Sequence, residues 1–153
     1  MTTPTIVPVG YAGDATDFKK VKRDTFGAVR NVKGSVSVVS GTAAGAYVGL
    51  VPFQKGATFL ISNASVHCAD FGAGTTVVDL GIIYDDDSTY TNDEDAFVSA
   101  SAAAQSGGFL TVDEIAGLTL ETEADGWLAV KLETAAADAT ADITFNVGVA
   151  YDA

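Results

Sequence analysis

The sequence predicts an all-β protein, an antiparallel two-sheet sandwich of jelly-roll or Greek-key type, with one short helix near 93–105 and an extended N-terminal arm. Three observations predict it. From Ser35 onward apolar residues recur with a period of two, so a strand built from them has one dry face and one wet face. Glycine-centred turn signals separate these segments at short intervals. Half-buried strands of this kind belong to antiparallel sheets, because parallel strands covered on both faces read as continuous apolar runs.

Residues 1–34 lack this period. Pro4 and Pro8 favour extended backbone, and Gly10, Gly13, Gly27 and Gly34 interrupt anything regular, so they are expected to form the arm, with 35–153 as the sandwich domain. Val36 and Val38 then alternate with Ser35 and Ser37. Tyr47, Gly49, Val51 and Phe53 are expected on one face of a second strand, opposite Val48, Leu50 and Pro52. A longer strand runs from Ala57 to His67, and Asp70-Phe71-Gly72-Ala73-Gly74 makes a turn. Between Thr75 and Tyr84, Val78, Leu80, Ile82 and Tyr84 share one face. Asn92 fits a helix N-cap, the run from Ala96 to Ala104 is rich in helix formers, and Gly107-Gly108 supplies a stop, which together predict the helix. Leu118 and Leu120 suggest a further strand, joined through the Asp125-Gly126 turn to one carrying Leu128, Val130 and Leu132. Ile143, Phe145, Val147, Val149 and Tyr151 form the inner face of the last strand.

The chain has 153 residues, 48% of them hydrophobic, which suits one core and not two. It is too apolar for intrinsic disorder and has no apolar run near the roughly 18 residues of a membrane span. One Cys and one His exclude a disulfide framework, Cys-based structural zinc and any site that needs two imidazoles. No basic-then-apolar leader follows Met1, so a reducing cytoplasm is the expected site of synthesis. The formal charge of −12 argues against nucleic acid as a partner. That charge is uneven. Lys19, Lys20, Lys22, Arg23, Arg30 and Lys33 stand with only three acids in residues 1–33, a net of +3, whereas the remainder carries −15. Such a basic arm on an acidic body suits contact with an oppositely charged surface.

Catalytic signatures are sparse. His67 and Cys68 are neighbours, but adjacent strand residues point to opposite faces, so they cannot act as base and nucleophile. No serine sits in a Gly-x-Ser-x-Gly elbow, no phosphate-binding loop is present, and Gly72-Ala73-Gly74 lacks the third glycine of a dinucleotide fingerprint. The run from Asp85 to Asp95 holds six carboxylates. Asp85, Asp87 and Asp93 match three calcium-loop positions, but Tyr90 stands where glycine is needed and Ala96 where the bidentate Glu belongs. A solvated loop is therefore expected, with no metal and no cofactor. Trp127 falls on the parity of Lys131 and Glu133, opposite Leu128, and is expected to face water, a ligand or, preferably, a partner subunit.

Four segments carry a resemblance: Pro52-Phe53-Gln54-Lys55-Gly56-Ala57-Thr58-Phe59, the stretch from Asp70 to Gly81, Asp95-Ala96-Phe97, and Asp125-Gly126-Trp127-Leu128. In this order, over about residues 45 to 150, they resemble small structural proteins of tailed bacteriophages. The resemblance implies a non-enzymatic virion protein of the capsid decoration, or cement, type. It implies a position on the capsid exterior, the major capsid protein as partner, and a homo-oligomer with a trimer favoured. The alternatives are a tail, head-fibre or head-tail connector component, or a carbohydrate-binding sandwich that uses Trp127 and surface tyrosines.

Overall fold

The computed structural model describes Ile6, residues 29–134 and residues 136–151. The described strands are β1 (Arg30–Val38), β2 (Tyr47–Phe53), β3 (Ala57–Cys68), β4 (Val78–Tyr84), β5 (Asp93–Ser101), β6 (Gly108–Phe109), β7 (Gly126–Leu132) and β8 (Ala141–Tyr151). They form two four-stranded sheets in the orders β1-β8-β3-β6 and β2-β7-β4-β5. All strand pairs within them are antiparallel. Apart from the link between β4 and β5, every connection carries the chain from one sheet to the other. That winding makes a double-sheet jelly roll, within the class that the alternation predicted.

The inner faces follow the period of two. Val78, Leu80, Ile82 and Tyr84 of β4, Leu128, Val130 and Leu132 of β7, and Ile143, Phe145, Val147, Val149 and Tyr151 of β8 join one core cluster. Edge-to-face aromatic contacts cross it: Phe53 meets Phe59 at 5.5 Å and Tyr84 at 6.1 Å, and Phe59 meets Phe97 at 6.0 Å. Each buried ring contributes about 1.5–3 kcal/mol through burial, and each pair about 0.5–1.5 kcal/mol more.

Four local expectations are corrected. The helix at 93–105 is absent: Asp93–Ser101 is strand β5, and Ala103–Gln105 makes a single 3₁₀ turn. Helix propensity is worth only tenths of a kcal/mol per residue. Pairing with β4 satisfies that strand's outer hydrogen-bonding groups and buries Ala96, Phe97 and Val98, and this prevails. Asn92 does not cap a helix; its Oδ1 accepts the Tyr84 N–H at 2.7 Å. In β2 the register shifts between Gly49 and Val51, so Val48 and Leu50 are core residues along with Val51 and Phe53. Around Leu118 the chain makes a 3₁₀ helix, Ile115–Thr119, and Glu121 contributes only an isolated bridge to Thr58. The first strand, β1, runs from Arg30 to Val38.

Two close approaches fix the sheet of β2, β7, β4 and β5. The backbone of β5 crosses Gly81 so tightly that a Cβ there would lie 2.2 Å from the Asp93 carbonyl oxygen. A side chain has no room. At the other edge, Ile6 forms a parallel bridge with Val48. Its N–H donates to the Tyr47 carbonyl at 3.3 Å and its carbonyl accepts the Gly49 N–H at 2.7 Å, while its side chain packs against the core.

Candidate functional site

The residues that suggested chemistry are kept apart. Cys68 is fully buried in the core, and burial pushes its thiol up to about 12, far from a reactive thiolate. His67, one residue earlier, points to the outer face of its sheet, where its ring meets Phe109 edge-on at 5.0 Å. Base and nucleophile therefore never meet. In the acidic loop, the Ser88 hydroxyl donates to Asp86 at 2.6 Å, and hydrogen bonds from Ser88 and Thr89 hold the Asp86 carboxyl below its ordinary range. Burial raises Asp93, and the nearby Asp95 adds to the effect. Among the described residues no three His, Cys, Asp or Glu side chains form a group able to hold a metal ion, so Asp85, Asp87 and Asp93 are not assembled as one.

On the outer face of the β2-β7-β4-β5 sheet, Trp127 lies opposite Leu128, as its parity requires. Its exposure was misjudged. The residue is 3% exposed and clusters with Ile83, Ala129 and Tyr47, so it offers no open ring for a sugar to stack on. Beside it, the Lys131 Nζ lies 2.6 Å from Glu94 Oε2 and 2.8 Å from Glu133 Oε2, and the Tyr47 hydroxyl donates to Glu94 Oε1. Hydrogen bonds to Glu133 and Glu94 raise the Lys131 pKa, and Lys131 in turn depresses Glu133. Asp79 is raised, mainly by burial and secondarily by the Glu133 charge, against the lowering effect of the Ala100 N–H that it accepts at 2.7 Å. One cation is shared between two carboxylates, and these ion pairs brace the face.

The outer face of the other sheet is different. Ser65, His67, Thr144 and Asn146 line it with polar groups, and Lys33 and Phe109 stand beside them. They surround a shallow depression of about 520 Å³. Phe109 is 66% exposed, the most open of the large apolar residues among the described ones. Sequence reasoning missed it, because Gly107-Gly108 was read as a helix stop and a two-residue strand has no period. Its only signal is the Phe109-Leu110 pair: neighbours on an extended backbone cannot both enter the core. Of the basic residues expected to bind a partner, Arg30 and Lys33 belong to β1, while Lys19, Lys20, Lys22 and Arg23 lie outside the described residues.

No protein-family model and no curated protein matches the chain. Solved structures do. A chain in the capsid of Ralstonia phage GP4 superposes with a TM-score of 0.61 at 20% identity, covering 85% of this chain and 88% of that one. A chain in the cyanophage Pam1 capsid asymmetric unit matches at a TM-score of 0.49 and 19% identity, covering 82% and 85%. At such identity the GP4 likeness establishes a shared fold along most of both chains.

Proposed function

We propose that this protein is a non-enzymatic structural component of a tailed-phage virion, a decoration protein that binds the outside of the head lattice and reinforces it. The observation that carries this reading is the jelly-roll likeness to a chain of the GP4 phage capsid, which spans most of both chains. The surfaces agree with it. Among the described residues the side chains able to do chemistry are dispersed, one outer face is braced by its own ion pairs, and the other presents an exposed aromatic beside a polar depression.

Docking onto capsid subunits uses the β1-β8-β3-β6 face. Phe109 is its apolar anchor, an exposed ring that gains by burial once polar neighbours around it exclude water. Lys33 and Arg30 of β1, with the arm residues Lys19, Lys20, Lys22 and Arg23, supply positive charge that steers docking toward acidic partner surfaces. Copies group around lattice axes, with a trimer as the favoured oligomer.

The test is addition of purified protein to heads that lack it. Phe109→Ser removes a largely exposed ring at the cost of one edge contact with His67, and, with an unchanged circular dichroism spectrum confirming the fold, it is expected to lower occupancy at least tenfold at limiting protein. Undiminished occupancy would remove Phe109 from the interface, and failure of the parent protein to bind any phage head would remove the decoration reading.

A further inference from the structure

The bridge between Ile6 and Val48 has features that a simple tether does not need. Strand β2 is the edge of its sheet, and the N–H and C=O groups of its outer side are open to an added strand. Ile6 occupies this edge in parallel orientation with two hydrogen bonds and an apolar side chain set against the core. In a parallel ladder, alternate residues turn their N–H and C=O toward the same neighbour. If the ladder continued from Ile6, the next residues to do so would be 4 and 8, and both are proline. Proline has no N–H, so neither position can complete the ladder's pair of hydrogen bonds, and full pairing is confined to Ile6. The result is a clip that is specific in register and small enough to open.

We propose that this clip is exchanged between copies, with the β2 edge of one copy holding Ile6 of a second. Every copy carries the same donor and the same edge, so the contact is identical within and between chains, the usual condition for domain swapping. Twenty-two residues separate Ile6 from Val29, a tether able to span at most about 75–80 Å at roughly 3.3–3.6 Å per residue. A neighbouring copy is within reach. Charge permits it as well, because the +3 of residues 1–33 is drawn equally to the −15 body of its own chain or of a neighbour. At the local concentrations of an assembly, exchange links copies without any new interface.

The exchange needs no capsid, so it can fail while the virion reading stands. The test uses the full chain with the photo-crosslinker p-benzoylphenylalanine in place of Ile6. Preparations bearing two different tags are mixed at high concentration, equilibrated and irradiated. Covalent dimers carrying both tags, with adducts mapping to residues 47–53, are expected. Adducts confined to single chains, or dimers joined elsewhere than β2, would overturn the proposal.

Discussion

At Asp79 the surroundings work against the charge: burial and the Glu133 carboxylate favour the neutral acid, and the Ala100 N–H compensates only in part. The folded-state pKa lies above the ordinary 3.8, so the stability linked to this group is complete below 3.8 and lost as pH rises through the folded value. Glu133 has the opposite sign: its depressed pKa gives stability above the ordinary 4.5 that disappears on acidification. Asp79→Asn keeps an Oδ1 acceptor for Ala100 but cannot ionise. Thermal unfolding should therefore show the variant more stable than the parent at pH 7, with the difference closing toward about pH 3. A less stable variant at neutral pH would contradict this account of the network. Single-residue facing was legible in advance, since period two put His67 and Cys68 on opposite faces and Trp127 away from the core. Its burial was not legible. What covers a residue on an outer face depends on partners such as Ile83 and Tyr47, which are distant in sequence.

Elements were read well where one face is dry and badly where the ladder is irregular. β4, β7 and β8 follow strict alternation and were legible to within a few residues. β2 has a bulge that shifts its parity, and β5 shifts register twice against β4, so neither shows a clean period. In β5 the alanines then mimic a helix. Polar side chains that close turns also escape a hydrophobic pattern. Thr122 is buried, accepts the Ala57 N–H at 2.9 Å and donates to the Gln54 carbonyl at 3.0 Å, locking the link from β2 to β3. Thr122→Val keeps the shape and strands both partners. Urea unfolding is expected to show a loss of about 1–3 kcal/mol. An unchanged midpoint would mean that water replaces the hydroxyl without cost.

For the whole molecule, the winding of the chain between two sheets leaves a rigid body with two unlike outer faces, one braced by Glu94, Lys131 and Glu133 and one polar and carrying Phe109. The class of fold was legible because alternation, short strands and glycine turns all point the same way. Strand order was not, since many sandwiches share that alternation. The scarcity of His and Cys was equally legible, and His67 and Cys68 lie on opposite faces of their strand. The central claim is that this body serves a phage head as a repeated surface component. Its most direct test is the copy number per purified particle, measured by quantitative mass spectrometry against the major capsid protein. A lattice protein predicts copies in the hundreds, in a fixed ratio to capsid subunits. About six to twelve copies would place the chain at the connector or tail instead, and absence from the particle would refute the virion assignment altogether.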